Sequence, residues 1–546
     1  MDIATQVARY FAVAADAAAP GEATPAVSAG NNIVPMIDGR RYFRAISALL
    51  SSLGSPPTVP RQFFYLTNWF LHFADGPATI QTAGMIAGAP ISATTRPLDT
   101  LPVFRLEGDQ PGPSPIMADL LVEKADAGVD VRVMGWVNPL VLLDAVASRV
   151  PYWAQTVNTL LSIRALREQT VNARKPMAKR ACALTVGHAV GAMHLKMVVA
   201  HDGTRPWAFI GGIDFSPDRV AGERHTASEN WHDMVIAVDG PAVQVFYDLF
   251  RNLWNEQLKP LAASQSFLLD TSPMSAVEPG TDPIPARVMP VVVRGQHRVQ
   301  VARTLPQFHI EVPVPSGHTP LSFAPGGLFE IPVVWRRAIQ HATDYIYIED
   351  QGFFSHDVMD WINARVKTHP TVKVILLGGA RDPTDPPNSV YTFEAITNHL
   401  LAGLSLPDQS RIGFFKHSGV IVHAKVTIID DHWLFVGSAN CSRRSLYTDG
   451  ELSVGCLDEN DTLAKQARVD LWGGHFGKAP GLPRAPLNDL NRALAVWEPT
   501  WGAMPPFPRP AEITQHVFPL PAPVTTFDPN SYTFVDPDSR ETFRLY

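Results

Sequence analysis

The sequence predicts an α/β fold of two similar lobes. Each is a mixed or parallel β-sheet with helices on both faces, and a pseudo-twofold axis places the functional cleft between them. Three observations lead to this. Short apolar, β-branched runs alternate with helix-period runs, the pattern of a sheet covered on both faces. One strand–turn pattern occurs twice. The 546 residues exceed what one ordinary core encloses, so the chain divides.

The repeat rests on two segments. Met193-His194-Leu195-Lys196-Met197-Val198-Val199-Ala200 matches Val422-His423-Ala424-Lys425-Val426-Thr427-Ile428-Ile429. Both the His and the Lys are offset by 229 residues (423 − 194 and 425 − 196). An apolar strand ending in a glycine turn follows each: Phe209-Ile210-Gly211-Gly212-Ile213-Asp214 and Phe435-Val436-Gly437-Ser438-Ala439-Asn440. Upstream, strands are expected at 63–69 and 345–351, and again at 127–134 and 369–376. Helix-period segments precede the latter pair, at 117–125 and 358–367. Downstream, strands at 231–237 and 449–455 lead into helices at 241–258 and 461–472.

The lobes are expected at 31–270 and 291–480. Between them, residues 271–290 hold five prolines and read as an irregular connector. Residues 1–30 read as an Ala-rich tail with a loose helix. Residues 481–546 carry 12 prolines in 66 positions, several times the usual ~5%. They are expected to wrap the second lobe in extended form.

Composition narrows the function classes. Lys+Arg 45 against Asp+Glu 52 gives a net charge of −7, so no global basic field steers the chain to nucleic acid. Three cysteines make no disulfide framework, and no pair has metal-site spacing. No apolar run reaches the ~18–20 residues of a membrane span. The N-terminus lacks a basic start before its apolar stretch, a poor secretory signal. A cytoplasmic location, or export without a standard signal peptide, is expected.

The doubled His-x-Lys carries the chemistry. On a strand, residues two apart share a face, so an imidazole and an ammonium stand side by side. Two such pairs meeting in one cleft suit phosphoryl transfer. Lys196 and Lys425 neutralise nonbridging oxygens. One imidazole attacks phosphorus while the other protonates the leaving oxygen. No cofactor or metal is required. Ser438 and Asn440 sit at the second glycine turn as phosphate donors, with Gly212 and Asp214 as their counterparts. Asp233 and Glu451 offer one carboxylate per lobe to orient the imidazoles. Trp69 and Gln351 follow strands expected to end at the cleft. A single His on an apolar strand is usually packed core; two copies in matching contexts are not explained that way.

These residues resemble the phospholipase D superfamily. His423-Ala-Lys425-Val-Thr-Ile-Ile-Asp430, Gly437-Ser438-Ala439-Asn440 and Glu451 look like its HxKxxxxD…GSxN…E signature. Glu349-Asp350-Gln351-Gly352-Phe353 is similar to its E-N-Q-Y-F strand end, and Trp231-His232-Asp233 with Gly240-Pro241-Ala242 to its W-H-D…G-P-A stretch. The likeness runs from Ile33 to Trp472. It implies a monomer that hydrolyses or transfers phosphodiesters of glycerophospholipids at a membrane surface, without metal, through a phosphohistidine. His194 would be the nucleophile and His423 the acid. No stable nucleic-acid partner is implied.

The first motif departs from the pattern. His201 stands where the Asp is expected and Asp202 comes one residue late; Asp202 would substitute for Asp430's structural role through a small bulge. Two rival readings follow. One is a nuclease on the same fold, supported by the basic residues Arg164, Arg167, Arg174, Lys175, Lys179 and Arg180. The other is a binding module on a decayed site.

Overall fold

The computed structural model describes residues 1–54, 62–74, 103–106, 114–137, 153–184, 186–188, 191–222, 225, 231–257, 282–306, 318–379, 386–477 and 484–516, with 518, 520 and short strands within 79–97 and 308–310. Its centre is a mixed sheet of 16 strands. From one edge the order is Ile513–His516, Ile412–His417, Lys373–Gly379, Tyr345–Asp350, Val426–Ile429, Trp433–Gly437, Glu451–Asp458 and His297–Leu305. It continues through Val27–Ile37, Met234–Asp239, Pro206–Gly211, Met197–His201, Phe63–Asn68, Asp130–Trp136 and Ala181–Leu184. Leu328–Phe329 pairs with His297–Leu305 beside this path.

Read outward from the middle, the second half repeats the strand order of the first. In each half two successive pairings are parallel, 63–68 with 130–136 and 130–136 with 181–184, and 345–350 with 373–379 and 373–379 with 412–417; the edge strand Ile513–His516 adds an antiparallel pairing to the second half. The inner pairings are antiparallel. The two expected sheets are joined into one. Val27–Ile37 pairs antiparallel with His297–Leu305 (Val27 opposite Gln300, Asn31 opposite His297), with a register shift between Ser28 and Asn31.

Helices cover both faces because their apolar residues recur at helical spacing. Val243–Glu256 buries Val243, Phe246, Tyr247, Phe250, Leu253 and Trp254. With Leu463–His475 it shares a core that runs across both halves. Gly39–Ser52 and Met117–Asp126 cover the other face of the first half; Ile331–Gln340 and His356–Thr368 do so in the second. Ser355 caps the last of these, its hydroxyl accepting from Val358 N at 3.3 Å.

Three expectations need correction. The N-terminal helix, Ile3–Tyr10, is docked on the second half: Tyr10 and Phe11 are buried, and the Tyr10 hydroxyl donates to Asp430 at 2.8 Å. The C-terminal segment is partly helical, Leu490–Trp497, and its strand Ile513–His516 extends the sheet edge; residues 521–546 lie outside the described residues. The His-x-Lys residues precede their strands, Met197–His201 and Val426–Ile429, in extended segments. Residues 282–290 carry no helix or strand, while 271–281 lie outside the described residues.

Those extended segments reach across the molecule. Trp231–His232 pairs in parallel with Ile421–Val422, and Met193 bridges Gly450 in parallel. His423 N donates to His232 O at 2.8 Å, and Leu195 N to Gly450 O at 2.9 Å. Each half thus presents its His-x-Lys beside the acid-bearing strand of the other.

Candidate active site

The consequence is a crossed pair of contacts. His194 Nδ1 lies 3.0 Å from Glu451 Oε1, and His423 Nδ1 lies 2.7 Å from Asp233 Oδ2. Each imidazole is oriented by the carboxylate of the opposite half. All four groups are buried. With Nδ1–H assigned by its carboxylate acceptor, Nε2 of each ring keeps its lone pair.

The acids are held differently. Glu451 accepts from the hydroxyls of Ser438 (2.5 Å) and Ser445 (2.7 Å). Asp233 accepts from Met234 N at 2.8 Å, and the space beside it exists because Gly212 has no side chain. A Cβ on Gly212 would sit 2.3 Å from Asp233 Oδ1. Ser438 and Gly212, expected at the phosphate, instead shape the two carboxylates.

The lysines turn back on their own motifs. Lys196 Nζ donates to His194 O at 2.9 Å, and Lys425 Nζ to His423 O. Asp214 lies 3.8 Å from Lys196 and accepts from Phe70 N at 3.1 Å. It is therefore a counter-ion to the lysine, since a carboxylate repels a phosphate. Asn440 N donates to Ser445 Oγ at 3.1 Å, and its buried Oδ1 has no hydrogen-bond partner. Trp69 packs edge-on against His194, ring centroids 4.6 Å apart, and carries Lys196 Nζ over its face at 4.8 Å. Gln351 is exposed.

Burial dominates the electrostatics. It holds His194 well below the ordinary imidazole range, reinforced by Lys196 and Lys425. It does the same to His423, with Lys425, Arg219, Lys196 and His194 adding to the effect. The four basic groups of the two halves thus act on one another at short range. Burial pushes Lys196 down to about 8 against the pull of Asp214, and lowers Lys425. It raises Asp233 to about 6 and Glu451 to about 8. Both imidazoles are neutral without substrate. An incoming phosphodiester anion offsets the lysine charges and favours protonating one of them.

The first-motif Asp does not act as expected. Strand Met197–His201 pairs with both neighbours without a bulge. Asp202 caps its own turn, accepting from Thr204 N and Arg205 N at 2.7 Å each. Asp430 instead ties down the start of the neighbouring strand. It accepts from Thr343 N (2.6 Å), Asp344 N (2.7 Å), Tyr345 N (2.8 Å) and the Tyr10 hydroxyl.

Several neighbours complete the site. Asp449 accepts from Ala192 N at 2.7 Å and from Arg444 Nε at 2.7 Å, fixing the chain before His194. Trp231 stands 4.8 Å from the His423 ring, with Arg219 over its face at 3.3 Å. Trp231 and Asp449 open the matched strands 231–237 and 449–455, and Asp449 is the alternative to Glu451 as orienting acid; Ser445 carries no such mark.

Residues 335–472 match the family model described as cardiolipin synthase, PLD-like domain. Phospholipase D A of Dictyostelium discoideum is 23% identical over 48% of this chain and 22% of its own length. Phospholipase D alpha 4 of Arabidopsis thaliana is 24% identical over 66% of this chain and 58% of its own. The chain therefore spans about a fifth of the first relative and less than two thirds of the second. Among solved structures, phosphatidylserine synthase of Haemophilus influenzae is 11% identical, covers 80% of this chain and 85% of its own, and has a TM-score of 0.47. The phospholipase D family member Nuc of Salmonella typhimurium is 20% identical, with 33% and 92% covered and a TM-score of 0.23. Residues 335–472 thus match a PLD-like domain, and with its doubled His-x-Lys motif the chain is similar in sequence to phospholipases D.

Proposed function

We propose that the protein cleaves glycerophospholipids at the head-group phosphodiester, by hydrolysis or by transfer to an alcohol, through a phosphohistidine. The crossed pairing of His194 with Glu451 and His423 with Asp233 supports this most directly. It leaves two Nε2 atoms and two ammonium groups to surround one phosphate. In this reading His194 Nε2 attacks phosphorus, the P–O bond to the head group breaks, and His423 gives its proton to the departing oxygen. Water or an alcohol then attacks the phosphohistidine while His423 takes its proton, releasing phosphatidate or a new phosphatidyl ester. Lys196, Lys425 and Asn440 hold the nonbridging oxygens, and no step passes through a metal. The curated relatives named as phospholipases D favour lipid as the substrate.

The basic stretch that motivated a nuclease is largely engaged within the protein. Arg164 pairs with Glu168 and Arg174 with Asp126; Arg167 and Arg180 donate to the carbonyls of Ala181 and Val129. Among the described residues, no helix is long and apolar enough to cross a membrane. The deciding assay incubates the protein with phosphatidylcholine, phosphatidylethanolamine and phosphatidylglycerol vesicles and measures head-group release. Release from at least one, with a phosphoryl adduct mapped to His194, is expected. No release from all three would end the lipid reading.

A further inference from the structure

Behind the His423 ring lies a second cluster of ionisable groups that the chemistry above does not use. His232 follows Trp231 in the first half. Glu349 comes from strand Tyr345–Asp350, and His475 ends helix Leu463–His475. All three are buried, and one donor atom from each lies within 4.8 Å of the others. We propose that His232, Glu349 and His475 form a zinc-type divalent-metal site that clamps the two halves together behind His423.

The geometry supports an ion. His232 Nε2 and Glu349 Oε1 are 3.3 Å apart, yet they are not aligned as a hydrogen bond, and His232 Nε2 has no hydrogen-bond partner. Two donors each ~2.0–2.1 Å from a tetrahedral ion stand about 3.3 Å apart. His475 Nε2 is hydrogen-bonded directly to the same Glu349 oxygen, a contact that an entering ion would replace by drawing the two atoms apart. Two imidazoles and one carboxylate suit zinc better than calcium or magnesium, which favour all-oxygen shells.

An outer shell is present as well. His232 Nδ1 lies 3.0 Å from Asp38 Oδ1, the carboxylate–imidazole arrangement that fixes the tautomer of a metal-ligating histidine. Asp38 Oδ2 is in turn 3.3 Å from His225 Nε2. The His417 ring lies 5.4 Å from that of His475 and closes another side.

A metal here would join a residue of the first half to two of the second. His232 O accepts from His423 N, and Asp233 is the next residue, so the ion would hold the backbone that orients one imidazole. The site does not depend on the lipid reading. Its ligands come from three distant places in the chain, so no spacing motif announces it.

The test is the metal content of the full-length protein, purified without a metal-affinity step, dialysed against zinc and then against buffer. About one zinc per chain is expected, with Tm rising on zinc addition after chelation and a visible cobalt spectrum on replacement. Glu349→Gln and His475→Gln should each lower the zinc content to well under half. Less than about a tenth of an equivalent in the wild type, with Tm unmoved by zinc, would show a metal-free ion network instead. Full zinc content in both variants would overturn the assignment to these residues. Neither readout involves lipid cleavage, so a failure here is distinct from a failure of the proposed function.

Discussion

The two halves carry the same motif on the same strand order, yet they hold it by different means. In the second half, Asp430 gathers the start of strand Tyr345–Asp350 and the N-terminal helix onto one buried carboxylate. In the first half its position is taken by His201, whose Nδ1 accepts from Gly203 N at 2.9 Å, and Asp202 only shapes a surface turn. The orienting acids differ too: Glu451 is held by two serine hydroxyls, whereas Asp233 occupies space left by a glycine. Without a counterpart to Asp430, the strand after the first motif keeps an unbroken register with 63–67 and 206–210, and Asp449 fixes the chain before His194. The motif Asp is therefore a local fastening, separable from the histidine and lysine chemistry.

The comparison can be broken most sharply at the imidazoles. His194→Ala and His423→Ala should each lower head-group release by at least ~10³-fold, since nucleophile and acid serve a single covalent cycle. Equal residual activity in the double variant would show that they act as one unit. The crossing comes next. Asp233→Asn should cost about 10²-fold, within the ~10⁴-fold seen when an orienting carboxylate is lost from a catalytic His. A double-mutant cycle should couple Asp233 to His423 and leave it near-additive with Ser438. Coupling to Ser438 as strong as to His423 would contradict the crossed arrangement.

Gly212→Ala should act like a mild Asp233 variant, through collision with that carboxylate. Ser438→Ala should weaken the support of Glu451, and so of His194. Turnover should fall about tenfold or more in both, with KM little changed.

The fastening difference should show in stability. Asp430→Ala should lower unfolding free energy by about 3 kcal/mol, through several donors left without their charged acceptor. Asp202→Ala should cost about 1 kcal/mol or less at its surface turn. Equal thermal shifts would remove the asymmetry.

The last effect is on pH dependence. Burial raises Glu451 from 4.5 to about 8. The folded state then binds the proton more tightly than the unfolded chain. This contribution is fully present below about pH 4.5 and is lost as pH rises through about 8. Glu451→Gln should flatten the fall in Tm across that window; an unchanged slope would mean the carboxylate is not desolvated.

Much of this was legible beforehand. Helices at 117–126, 243–256, 356–368 and 463–475 announce themselves because apolar residues recur at helical spacing, and neighbours within a turn decide that pattern. The His-x-Lys pairs and their acids could be named because each stands in a repeated local context. The partner of each acid could not, because strand pairing between residues some 190 to 260 positions apart leaves no periodic trace. Ser438 looked like a phosphate donor, and only the fold turns its hydroxyl onto Glu451.

By itself, then, the sequence determined the alternation of strands and helices, the internal repeat and the four basic groups of the candidate centre, all of which depend on residues close in the chain. Tertiary structure alone decided that the halves share one sheet, that each acid serves the opposite imidazole, and that His232, Glu349 and His475 meet. These follow from burying both halves against one another, which brings polar groups from distant strands into a dry space where each needs a partner.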